Sequence, residues 1–165
     1  MQQNVLTSKL YFRSLTIIFS ALLAGQVFFT LLTLLLGEIV SGKEDMSSLI
    51  DIFKYFMPFC VLGGIIASII ISKAKLKEAR KRDTLKQKLE DYQTLTIVKL
   101  AILEGQAFFA IVVFMITGSL IFLGYGLIVT LFFLTQFPMK IKIVEELNLC
   151  ESDKRLLENP VYTIQ

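Results

Sequence analysis

Two charged side chains interrupt an otherwise apolar run. Lys99 and Glu104 both lie in LTIVKLAILEGQAFFAIVVFMI, residues 95–116. A carboxyl in such surroundings is tolerated when it is protonated and hydrogen-bonded, ion-paired, or facing an aqueous cavity. At the helical rise, Glu104 sits about 14 Å along the run, near the midplane of hydrocarbon about 30 Å thick. Lys99 sits only about 6 Å in, close enough for its stem to carry the ammonium to the interface. The two are about 140° apart around a helix, so they are badly placed to pair. Gln26 and Gln106 add amides to apolar stretches, where each must find a partner. Glu104, Gln26, Gln106 and Lys99 are therefore the candidate intramembrane functional residues. Their chemistry would be proton carriage or hydrogen bonding between helices. A protonated Glu104 bonded to Gln26 inside a helix bundle is the structural form expected.

Other chemistries lack residues. The chain has no His, which removes imidazole acid–base catalysis and His-liganded metal or haem. Cys60 and Cys150 cannot make a four-cysteine metal site, and one in a span with one in a tail should not pair. No Gly-rich phosphate loop, nucleophile elbow or metal-ligand spacing occurs, so neither an enzyme nor a cofactor or metal site is expected. The basic residues are not interleaved with aromatics, which argues against nucleic acid.

The elements that hold these residues follow from hydropathy. Of 165 residues, 55% are hydrophobic and 19% charged, with a mean hydropathy of +0.68. Both fractions depart from a soluble domain towards the bilayer. Apolar stretches at 15–36, 53–72, 95–116 and 119–137 are each near the length a membrane helix needs. Span one is too long for a signal-peptide core and lacks a small-x-small cleavage site, so it is expected to be retained. Lys73, Lys75, Lys77, Arg80, Lys81, Arg82, Lys86 and Lys88 separate spans two and three, Lys9 and Arg13 precede span one, and Lys140 and Lys142 follow span four. The positive-inside rule then gives a multi-pass inner-membrane protein, N-in and C-in. The bilayer is its first partner, with anionic lipid headgroups a candidate ligand of the basic 73–88 segment. A homo-oligomer or a membrane-protein partner is also compatible with so small a bundle.

Residues 1–14 read as a cytoplasmic tail, 15–137 as the membrane domain with a cytoplasmic helical extension at 73–94, and 138–165 as an amphipathic tail. Ser47 or Ser48 should cap a helix from Leu49 that Pro58 bends. Asp83 or Thr84 should cap the next helix, and the spacing of Leu85, Leu89 and Tyr92 predicts an antiparallel pair. After Pro138 two short helices are expected, the second stopped by Asn159–Pro160.

Displaced by 80 residues, 15–29 faces 95–109 with nine identities in fifteen pairs and no gap. The shared A-x-L-x-G-Q-x-F-F is hard to ascribe to apolar composition. The fold class expected is all-α: a four-helix membrane bundle built from a duplicated two-helix hairpin, a parallel repeat about the membrane normal. Ala21 with Gly25, and Ala101 with Gly105, form small-xxx-small pairs expected to bring spans one and three together.

The segment 94–119, with Tyr92 and Gln93 before it and FPMKIKIVEELNL after it, resembles a family of small, uncharacterised integral membrane proteins of Bacteroidota. Leu103, Glu104, Gly105, Phe109 and Ala110 match its L-L-E-G-x-x-x-F-A motif, whereas Gln106 stands where that family suggests Pro. The resemblance implies a four-helix membrane chain and transfers no activity. A looser likeness to the duplicated proteolipid of rotary ATPases fails, because those helices are rich in Gly and Ala and carry their carboxylate on the second helix of a hairpin. The expected role is an accessory or scaffold subunit; the alternative is a small oligomeric transporter or proton-linked subunit using Glu104.

Overall fold

The computed structural model describes residues 7–40 and 47–158. The tail 1–6, the outer-loop residues 41–46 and the Asn159–Pro160 stop lie outside the described residues. The described chain is helical: α1 Ser8–Val40, α2 Ser47–Ala79, α3 Leu85–Thr117, α4 Leu120–Leu134, α5 Lys140–Glu146 and α6 Glu151–Glu158. The helices α1, α2 and α3 are long and apolar enough to cross a membrane. Each runs 33 residues, roughly 50 Å at the helical rise, and so extends beyond its apolar stretch. Helix α4 has 15 residues, about 22 Å. The expected fourth span at 119–137 is thus shorter as a helix, ending in a turn over 135–137.

Local chemistry accounts for the boundaries. Thr84 caps α3, its side chain accepting from the Gln87 N–H at 3.3 Å. Gly118 closes α3 at φ 67°, where a side chain is unfavourable, and its N–H donates to the Phe114 carbonyl at 2.7 Å. That turn lets α4 return along α3. Helix α2 begins two residues before the expected start and continues through Pro58 as one helix. Hydroxyls along the helices are satisfied by their own backbone: Thr16, Thr30, Thr33, Thr96, Thr117 and Thr130 each donate to the carbonyl four residues back.

Helix α3 is the central element, packed against α1, α2 and α4, while α2 also meets α4. Helices α1 and α2, expected as a packed hairpin, share little contact. Three buried clusters stack along α3. Met57, Ala110, Val113, Phe114 and Phe122 fill one end. Phe19, Val61, Leu100, Leu103, Ala107, Val129 and Phe133 fill the middle, with Phe19 stacked on Phe133 at 4.9 Å between centroids. Tyr11, Leu15, Ala79, Leu85, Leu89, Tyr92 and Leu95 join Ile143, Leu147, Leu149 and Leu157 at the other end. Around the bundle large apolar side chains face outwards, among them Phe28, Leu35, Tyr55, Phe59, Leu62, Ile70, Leu120 and Leu127. So continuous an apolar exterior suits lipid, not water.

The two segments read as tails are part of this packing. Ser8 Oγ donates to the Leu157 carbonyl at 2.7 Å, tying the start of α1 to α6. Tyr11 donates to the Leu89 carbonyl at 2.8 Å, and Tyr92 to Glu146 Oε2 at 2.8 Å. Arg80 Nε reaches the Glu146 carbonyl at 2.6 Å, and Lys88 lies 3.8 Å from Asp153. Arg82 pairs with Asp91 at 2.7 Å, and that hydrogen bond holds the exposed guanidinium above its ordinary value. For Tyr92, which precedes the apolar run, burial first and the Glu146 carboxylate second push the phenol above its ordinary range.

Candidate intramembrane site

The four candidate residues do not converge on one point. Gln26 is 1% exposed and faces α4, where its amide Oε1 lies 3.2 Å from the Thr130 hydroxyl, whose one proton it shares with the nearer Gly126 carbonyl at 2.9 Å. Its Nε2 is buried without a hydrogen-bond partner. It forms part of the wall of a cavity of about 380 Å³ with Thr30 and Ile111, beside Gly124, Leu127 and Thr130 of α4. Gln106 faces the other way, against Gly64 of α2, where any added Cβ would overlap the amide. Its Oε1 is likewise buried and unpartnered. The two glutamines of the repeat therefore meet different helices and not each other.

Glu104 is half-buried beside α1, with Oε1 3.9 Å from where a Cβ on Gly25 would stand. It makes no hydrogen bond or ion pair to another described residue, so the expected bond to Gln26 is absent: Gln26 is turned towards Thr130. The small residues are also placed otherwise than expected. Ala21, Ala101 and Gly105 are exposed, and a Cβ on Gly105 would meet nothing within 4 Å. The α1–α3 contact is made instead by large side chains, Phe19 with Leu100 and Leu103, and Phe29 edge-on to Phe108 at 5.1 Å. Bulky side chains bury more apolar area per contact than a small-residue seam. Gly25 alone stands close to the facing helix. Gly118, with its positive φ, is the more constrained glycine than Gly105.

Lys99 is half-buried and borders a second cavity of about 290 Å³ between α2, α3, the end of α4 and α5. Lys73, Ser72, Gln136 and Glu146 also line it. No ion pair within 4 Å joins Lys99 to a described carboxylate. Among the described residues no three carboxylates or thiols gather as metal ligands. Both cysteines carry free thiols.

Sequence reasoning missed Thr130, Ser72 and Gln136. Thr130 carried a usable signal, a hydroxyl in mid-run within LIVTLFF. Nothing along the chain marked Tyr92 and Glu146 as partners, since they lie 54 residues apart. Comparison with known families, with curated proteins and with solved structures finds no match.

Proposed function

We propose that the chain is a four-span protein of the inner, cytoplasmic membrane, N-in and C-in, serving as an accessory or scaffold subunit. Its α1–α3 face receives a transmembrane helix of a partner protein. The apolar exterior supports insertion, and the basic residues of the α2–α3 end, of α1's start and of α5 support the orientation. Helix α4 completes a fourth crossing with its flanking turns and modest thinning of the bilayer. A duplicated origin is supported by the glutamines: exchanging the halves maps Gln26 facing α4 onto Gln106 facing α2. The symmetry is broken where α2 closes on α3 while α1 and α4 leave a cavity. Of the basic segment, Arg80, Arg82 and Lys88 are engaged within the protein, leaving Lys77, Lys81 and Lys86 exposed for anionic headgroups.

One observation carries the scaffold reading. Glu104, near mid-span, has no hydrogen-bond or ion-pair partner among the described residues and is flanked by the exposed small residues Ala101 and Gly105, with Gly25 opposite. Small side chains admit a close helix backbone, and a carboxyl in hydrocarbon gains from a hydrogen-bond partner there. Native purification of the full chain should therefore yield a stoichiometric membrane partner. Glu104→Ala should reduce that recovery, and Glu104→Gln should preserve it. Equal recovery with both variants would overturn the assignment. The transporter reading draws on the buried, unpartnered Gln26 Nε2 and Gln106 Oε1; it gains ground if the purified species is a homo-oligomer enclosing Glu104 in water.

A further inference from the structure

The cavity beside Lys99 combines features that the packing does not explain. It opens where the apolar run of α3 begins, level with the end of α4, and thus at the height of one lipid headgroup layer. Lys99 and Lys73 supply two cations around about 290 Å³, while the Gln136 amide on the same wall already donates to Thr135 Oγ1 at 2.6 Å. Liquid water takes about 30 Å³ per molecule, so the space has room for a group much larger than one water. The Ser72 hydroxyl is buried there with no hydrogen-bond partner. Glu146 stands on the α5 side, its carboxylate fixed by the Tyr92 hydroxyl at 2.8 Å and its carbonyl by Arg80 at 2.6 Å. A carboxylate has capacity for further donors beyond that one phenol. Phe132 lines the same cavity and offers apolar surface.

We infer that this cavity binds the headgroup of an amine-bearing phospholipid: Lys99 and Lys73 take the phosphate, and Glu146 takes the ammonium. Two cations without a carboxylate would suit any anionic headgroup. The fixed Glu146 penalises a purely anionic one and rewards a headgroup carrying both signs. The Ser72 hydroxyl adds a hydrogen bond to the phosphate, which relieves the unsatisfied hydroxyl. The site is separate from the α1–α3 face and stands whether or not a partner helix docks there.

The test is native mass spectrometry of the full chain, released from nanodiscs of equal phosphatidylethanolamine and phosphatidylglycerol. Wild type should retain one phosphatidylethanolamine. Lys99→Gln should lower its occupancy about tenfold, Lys99→Arg should restore most of it, and Lys75→Gln, outside the cavity, should leave it unchanged. Glu146→Gln should still bind lipid but lose the preference for the amine headgroup. Inorganic phosphate and phosphoethanolamine, added as soluble competitors, separate a lipid from a free phosphate compound. Tight binding of either with no lipid retained would overturn the lipid assignment. Wild-type preference for phosphatidylglycerol, or equal occupancy in wild type and a folded Lys99→Gln, would overturn the site.

Discussion

At the scale of single residues, Gly64 is the described glycine whose missing side chain leaves room for a neighbour, the Gln106 amide. An added Cβ at Gly64 would overlap the Gln106 amide, whereas one at the neighbouring Gly63 would meet nothing within 4 Å. Gly63→Ala, in open space inside α2, should therefore stabilise by about 0.5–1 kcal/mol, whereas Gly64→Ala must displace the Gln106 amide and should lose stability relative to it, as read by thermal unfolding in detergent. Combining Gly64→Ala with Gln106→Ala should recover much of the loss, because the two sites share one volume. The buried phenol of Tyr92 gives a pH prediction. Its folded-state value lies above the ordinary one, so the neutral form belongs to the fold. Its contribution is complete below the unfolded phenol value of about 10 and is lost as pH rises through the folded value. Tyrosinate absorbance should show a late component, from Tyr92 and the likewise buried Tyr11, above the ordinary phenol range, and Tyr92→Phe should remove the Tyr92 share of it. A component unchanged in the variant would contradict the placement.

At the scale of elements, α3 bears the fold, and its two ends set its length. Thr84→Ala removes the N-cap and should cost about 1 kcal/mol; Gly118→Ala forces a side chain into the left-handed region and should cost roughly 1–2 kcal/mol. Gly105→Ala, in open space inside α3, should instead stabilise by about 0.5–1 kcal/mol, as judged by the same unfolding midpoints. Much of this level was legible in the sequence. Long apolar runs bounded by charges mark membrane-length helices whatever surrounds them, and Thr84, Leu85, Leu89 and Tyr92 gave the α2–α3 turn and its inward face. The short helices after Pro138 were legible for the same reason. What could not be read was which face of each span meets a neighbour. In hydrocarbon-compatible helices both faces are apolar, so periodicity does not separate Phe19, buried, from Ala21, exposed. The small-xxx-small spacing was a real pattern assigned to the wrong side of α3.

At the scale of the whole molecule, the chain reads as a membrane bundle closed at one end by a knot of α1's start, the α2–α3 turn, α5 and α6. Charge asymmetry along the chain is what the proposed orientation rests on. The knot was not legible, because Ser8 with Leu157 and Tyr11 with Leu89 are contacts between residues 149 and 78 positions apart. A periplasmic reporter should be active when fused after Gly118 and silent after Asp83; activity at Asp83 would place the basic α2–α3 end outside and overturn the topology. The central claim is that the Glu104 face takes a partner helix, and photocrosslinking in native membranes addresses it most directly. A probe at Gly105 should label a discrete protein partner, while one at Phe59, exposed on α2, should label lipid. Glu104→Ala should weaken the Gly105 adduct several-fold and Glu104→Gln should retain it. Lipid adducts alone from position 105, together with reaction of Glu104 with a water-borne carboxyl reagent, would contradict the account.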